Sequence, residues 1–238
     1  TFNHGDAIPR GAMLLRYDLP AGEEKFVNWK VENTKVMSFT SSKNHYNYTG
    51  ASLGGLADSN TSYLTAISTV PQTGYVEDHA VSNVVVTTTN KNSFSGAQTC
   101  QITNYGEGGS QSAGMPFLIK LSDSRFLVLW NILEKDSYGY YRLGTQVGYA
   151  LVDGKGQLVG SVRTAEGALS DCQPILDGDR VVWYATQNSA PVFFSLDPDS
   201  GTLVRAGTGA LCGTQTGTEP PADSNLQTGT QPGSNVQE

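Results

Sequence analysis

Charge is scarce in this chain: Lys, Arg, Asp and Glu together make up 16% of the 238 residues, against about 25% in an average soluble domain. The balance is -7, with only 15 basic residues scattered along the sequence. Phosphate backbones and anionic membranes are recognised by clustered Lys and Arg, so nucleic acid is not an expected partner. No window approaches 18 uninterrupted apolar residues, and membrane insertion is not expected either. Cysteine is also sparse. Cys100, Cys172 and Cys212 are too far apart for a metal knuckle and too few for a disulfide framework. Cys172, beside Gln173 and Pro174, reads as a small buried hydrophobe. Helix signals are missing as well, because every stretch with the i, i+3, i+4, i+7 spacing is soon broken by Gly or Pro.

What the chain does have is turns and short apolar runs. It contains 27 glycines and 10 prolines, placed between segments such as NVVVTTT, PFLIKL, RFLVLW, VGYALV, RVVWYA and PVFFSL. Runs of four to eight residues rich in Val, Leu, Tyr and Phe, bounded by Gly, Asp and Asn, predict β-strands and an all-β fold.

A repeat organises these strands. Asn60-Thr61-Ser62-Tyr63-Leu64-Thr65 recurs as Asp123-Ser124-Arg125-Phe126-Leu127-Val128, 63 positions later, and Leu121-Ser122-Asp123 recurs as Ile175-Leu176-Asp177 at an offset of 54. A second register closes later strands on Asp: Tyr17-Asp18, Val152-Asp153 and Leu196-Asp197, each followed by a Gly-containing turn. In the clearest copy, strand A is Met115 to Leu121, B is Arg125 to Trp130, C is Gln146 to Val152 and D is Gln157 to Val162. Four antiparallel strands per repeat predict the blade of a β-propeller.

The expected organisation is a partial blade over 1–47, which holds strands C and D, and blades over about 49–105, 112–165 and 169–206. A disordered Thr/Gly/Pro/Gln-rich linker follows over 208–238. About three and a half blades make an incomplete ring, since propellers close with about four to eight. Further blades N-terminal to Thr1 are therefore expected partners.

His4-Gly5-Asp6-Ala7-Ile8-Pro9-Arg10-Gly11, Thr49-Gly50-Ala51-Ser52-Leu53-Gly54-Gly55-Leu56, Leu169-Ser170-Asp171-Cys172-Gln173-Pro174 and Ser189-Ala190-Pro191-Val192-Phe193-Phe194 resemble motifs of secreted or cell-surface propeller-like repeat proteins of Gram-positive bacteria. The resemblance covers about residues 1–206. It implies a propeller-type fold and a secreted or surface setting, and it carries no assigned reaction.

Connectivity then suggests where a ligand would bind. In an antiparallel A-B-C-D blade the B-C and D-A connections emerge at one end and the A-B and C-D turns at the other. The latter are short hairpins, whereas the B-C connections read as longer and chemically richer: Thr1 to Arg10, Asn131 to Arg142, and Gln187-Asn188-Ser189. Loops on a rigid scaffold are where ligands bind. The candidate binding residues are accordingly His4, Asp6, Arg10, Glu134, Tyr138, Tyr140, Tyr141 and Asn188. The tyrosines each offer a flat apolar face with a polar tip, suited to sugar rings or peptide. Trp130 and Trp183 read as matching positions at the ends of B strands, packed between blades. His45 and Asp78-His79 read as ordinary loop residues.

Asp197-Pro198-Asp199-Ser200-Gly201 fails as a calcium loop, because the twelfth position is Thr208 and lacks the bidentate carboxylate. It reads as a hairpin. No metal site and no cofactor are expected. Gly-x-Ser-x-Gly, His-Glu-x-x-His and P-loop signatures are absent from the sequence. The expected function is a non-catalytic recognition or scaffold module for carbohydrate or protein. The alternative is a propeller-fold glycoside hydrolase or polysaccharide lyase using Asp6, Glu134 or Asp171 as its carboxylates.

Overall fold

The computed structural model describes residues 10–18, 30–39, 51–70, 80–187 and 189–207. Fourteen strands and no helix occur among them. The all-β expectation therefore holds.

Four antiparallel sheets follow one another along the chain. The first pairs β1 (Arg10–Asp18) with β2 (Lys30–Phe39). The second runs in order through β3 (Ala51–Asp58), β4 (Ser62–Thr69), β5 (Asn83–Asn90) and β6 (Gln98–Gln101). The third comprises β7 (Gln111–Ser122), β8 (Arg125–Lys135), β9 (Tyr141–Asp153) and β10 (Leu158–Glu166). The fourth comprises β11 (Ile175–Asp177), β12 (Arg180–Gln187), β13 (Ala190–Leu196) and β14 (Leu203–Gly207). Each four-stranded sheet is a meander, every strand pairing with its sequence neighbour. The unit read from Met115 to Val162 is the third sheet, with β8 and β9 extended beyond the sequence-based ends.

The sheets stack face on face, and the two-residue period of a strand explains how. In β8, Phe126, Val128, Trp130 and Ile132 join Leu64, Ala66, Val84 and Val86 of the second sheet. The alternate residues Leu127 and Leu129 join Val181, Trp183, Phe194 and Leu196 of the fourth. The third sheet is thus buried on both faces, which is why RFLVLW reads as an unbroken apolar run and not as an alternation. Ala12, Leu14 and Val36 of the first sheet pack on Ile67, Val85 and Phe94 of the second.

Two glycines allow the closest approaches. A Cβ on Gly54 would overlap the carbonyl oxygen of Pro116 in β7 and lie 2.7 Å from Pro116 Cγ. A Cβ on Gly148 would lie 2.5 Å from Trp130 Cζ2 and 2.6 Å from its Nε1. The Gly54-Gly55 pair is therefore the point where the backbones of the second and third sheets come together. Gly148 makes room on β9 for the fully buried Trp130 indole.

Trp130 and Trp183 do both pack between sheets, but not at matching positions. Arg125 and Arg180 open their strands at equivalent hairpins, opposite Ser122 and Asp177. Trp130 lies five residues beyond its arginine and Trp183 only three, so they share a face two residues out of step. Their hydrogen bonds differ accordingly: Trp130 Nε1 donates to Tyr105 Oη at 3.1 Å, and Trp183 Nε1 to the Ala168 carbonyl at 2.9 Å.

Cys172 is a further correction. Its thiol is exposed and lies 3.2 Å from Tyr184 Oη, because it sits over the Tyr184 side of the fourth sheet, against which no described sheet packs, while Leu169 and Pro174 on either side of it are buried. Cys100 and Cys172 are both free thiols. Cys212, His45, Asp78, His79 and the 208–238 linker lie outside the described residues.

Candidate binding site

At one end of the stack, ion pairs and hydrogen bonds join consecutive sheets. Arg16 pairs with Glu32 and donates to the Lys91 carbonyl, linking the first sheet to the second. Asp58 at the end of β3 accepts from Lys91 at 2.7 Å and from Lys120 of β7 at 3.3 Å. Those ammonium groups hold the Asp58 carboxyl below its ordinary value, against a smaller opposing effect of burial. Arg125 of β8 pairs with Asp199, in the turn between β13 and β14. The short turns here belong to the scaffold.

The turns themselves have a common construction. Asp153 Oδ1 accepts from the amides of Lys155 and Gln157, both at 2.8 Å, and Gly156 takes a φ of 75° as its amide returns to the Asp153 carbonyl. Asp197 does the same for Asp199 and Ser200, with Gly201 at a φ of 76°. The side chain of an Asp mimics a turn of backbone and glycine supplies the left-handed residue. This is the plain hairpin expected of Asp197 to Gly201.

The opposite end holds Glu134, Tyr138, Tyr140 and Tyr141 of the sequence-predicted candidates, with two corrections to the connections there. Asn131 to Arg142 is not a long connection: β8 continues to Lys135, β9 begins at Tyr141, and only residues 136–140 form the turn. The reason was legible in the sequence. Asp136-Ser137-Tyr138-Gly139-Tyr140 has the same Asp and Gly spacing as Asp153-Gly154-Lys155-Gly156-Gln157. Asp136 Oδ1 accepts from the amides of Tyr138 and Tyr140, each at 2.9 Å, and Gly139 sits at a φ of 89°. Burial opposes ionisation of Asp136, but the two amides and Arg142 outweigh it and hold its carboxyl below the ordinary value. Asp136, missing from the predicted binding residues, is the group that positions the tyrosines. Gln187-Asn188-Ser189 is likewise no long loop, since β12 ends at Gln187 and β13 begins at Ala190.

The three tyrosines are not equivalent. Tyr141 donates to the Gly109 carbonyl at 2.7 Å and lies under the Lys135 ammonium, 5.6 Å from its ring centroid, so its phenol fastens the hairpin to the preceding crossover. Burial raises its pKa. Tyr140 carries the Arg142 guanidinium 5.3 Å over its ring. Tyr138 is 83% exposed, the most exposed large apolar side chain among the described residues. Glu134 stands opposite Arg142 in the ladder between β8 and β9.

Farther along β9 from this turn, a cleft of about 660 Å³ runs between the third and fourth sheets, lined by Leu143, Thr145, Glu166, Thr186, Gln187 and Arg205 among others. Its base is the crossover joining the two sheets. There Asn131 donates to the Leu169 carbonyl at 3.1 Å and accepts from the Leu169 amide at 2.8 Å, which fixes the backbone that the cleft rests on. No sequence signal pointed to this cleft, because its residues come from four strands of two sheets.

Of the acidic candidates, Glu134 and Asp171 are described and Asp6 is not. Glu134 is at the end of β8, whereas Asp171 lies on the approach to β11 beside Cys172, and no hydrogen bond or ion pair joins the two. His4, Asp6 and Asn188 lie outside the described residues, and only the backbone of Arg10, at the start of β1, is described. Among the described residues no cluster of three His, Cys, Asp or Glu could hold a metal ion. No helix there is long and apolar enough to cross a membrane. Compared with family models, curated proteins and solved structures, the chain shows no match.

Proposed function

We propose that this chain is a non-catalytic recognition module built of propeller-type blades, belonging to a secreted or cell-wall-associated bacterial protein. It binds carbohydrate at the end of the stack that carries the 136–140 turn. The observation that supports this is the exposed Tyr138 ring, presented by a turn whose backbone Asp136 fixes, on the same hairpin whose β9 residues Leu143 and Thr145 line a cleft with hydroxyl, amide, carboxylate and guanidinium groups. An aromatic face for the apolar side of a sugar ring, beside fixed donors and acceptors for its hydroxyls, is the composition of a saccharide subsite. Four-strand meanders stacked by their faces support the propeller part of the reading.

Calorimetric titration with oligosaccharides released from bacterial cell walls tests it. Binding is expected to weaken about tenfold or more in Tyr138→Ala, the cost of losing a stacked ring. Thr145→Ala is expected to lose less, one hydroxyl hydrogen bond being worth about 1 kcal/mol. Absence of binding to any such saccharide, with binding of a protein ligand instead, would replace the carbohydrate by a protein partner on the same surface.

A further inference from the structure

The register of the sheets assigns a partner to the two faces at the ends of the stack. Each sheet has one side toward the sheet before it and one toward the sheet after it, and equivalent strand positions keep the same side throughout. Leu127 and Leu129, two and four residues beyond Arg125, face the fourth sheet and are fully buried. Their equivalents beyond Arg180 are Val182 and Tyr184. Likewise Val152 pairs with Phe126 as Leu196 pairs with Val181, so Tyr149 corresponds to Phe193. On the fourth sheet these residues, with Ile175 and Val204, form an apolar face over a cleft of about 620 Å³ that no other described sheet covers. Ile175 is 60% exposed, Val204 44% and Tyr184 42%.

The opposite end of the stack shows the converse. Asp18 closes β1 as Asp153 closes β9, which makes Leu15 the equivalent of Ala150. Ala150 is buried against the second sheet. Leu15 is 49% exposed, along with Met13 at 45% and Val31 at 49% on the same side of the first sheet. Among the described residues, the stack thus carries an uncovered following-side at one end and an uncovered preceding-side at the other. That pairing of sides is buried three times within the chain itself.

We propose that the following-side of the fourth sheet seats the preceding-side of the first sheet of a second copy of this chain. The contact is head-to-tail, using two different surfaces, and two copies satisfy both faces if the pair closes on itself. Apolar area is the driving force, and Arg180 stays at the rim because Ser195 Oγ, Ser195 O and Thr202 O take its donors at 2.5, 2.8 and 3.2 Å. The inference needs only the register of the sheets, so it stands or falls apart from what the tyrosine turn binds.

Sedimentation equilibrium over a concentration series tests it. The wild-type chain is expected at twice 25.4 kDa. Leu15→Asp and Ile175→Asp each place a lone carboxylate in the contact, and each is expected to weaken self-association about 100-fold. Each variant keeps one intact face, so an equal mixture of the two is expected to restore a heterodimer, which also shows that both are folded. A monomeric wild type would overturn the proposal and leave the faces to sheets supplied by a longer chain. So would a Leu15→Asp variant that still dimerises alone, because the contact would then join like faces or lie elsewhere.

Discussion

Replacing Gly148 by Ala adds one methyl against the Trp130 indole, which sits in the core shared by the second and third sheets. The new Cβ would lie 2.5 Å from Cζ2 and 2.6 Å from Nε1 of Trp130. An ordinary carbon contact is about 3.5–4.0 Å, so the indole or β9 must move by about 1 Å. Trp130 has nowhere to go. It is fully buried among Leu64, Val84, Val86, Ala113 and Ile102. Overpacking of this kind costs about 1–3 kcal/mol. Displacing the ring also stretches the 3.1 Å bond from Nε1 to Tyr105 Oη, a further loss of about 1 kcal/mol. The expected total is about 3 kcal/mol, equivalent to about 6–12 °C in Tm for a chain of this size.

Urea unfolding followed by tryptophan fluorescence measures the effect. Gly106→Ala is the control, since a Cβ there meets no atom within 4 Å, and its stability should stay within about 0.5 kcal/mol of wild type. A double variant supplies the decisive comparison. Gly148→Ala with Trp130→Leu should be less destabilised than the sum of the two single changes by at least about 1 kcal/mol, because the smaller side chain gives the new methyl its space. Strict additivity, or a Gly148→Ala variant as stable as Gly106→Ala, would refute the packing account.

Other consequences follow from the same structure. Gly54→Ala pushes a methyl into the backbone of Pro116, where no rotamer change can relieve it, and should destabilise by about 3 kcal/mol or more, read by the same urea assay. Asp58 has a folded pKa below its ordinary 3.8, owing to Lys91 and then Lys120, so its contribution is complete well above pH 4 and is lost as pH falls through the folded value. Wild type should therefore lose more stability than Asp58→Asn when acidified from about pH 5 to pH 3, as followed by thermal melts. The carbohydrate titration of Tyr138→Ala and the sedimentation of Leu15→Asp with Ile175→Asp test the two surfaces.

By itself the sequence determined the strands, the turns and the four-strand unit. These are local properties: two-residue alternation, β-branched and aromatic side chains, and Asp and Gly at fixed spacing specify hairpins without reference to the rest of the chain. The same local rule marked the turn at Asp136, where the spacing of Asp153 to Gly156 repeats and shortens what looked like a long polar loop. Tertiary structure decided what alternation could not. RFLVLW is apolar at every position, so only the stacking shows that Phe126 and Val128 face one sheet and Leu127 and Leu129 the other. Trp130 and Trp183 looked equivalent because each ends an apolar run, yet the hairpin register sets them two residues apart. The cleft between the third and fourth sheets gathers Thr145, Glu166, Gln187 and Arg205 from four strands, a neighbourhood created when the two sheets bury Leu129 against Trp183. The exposed faces of the first and fourth sheets have the same origin. Their residues carry the ordinary pattern of a strand, and only their place at the ends of the stack leaves them uncovered.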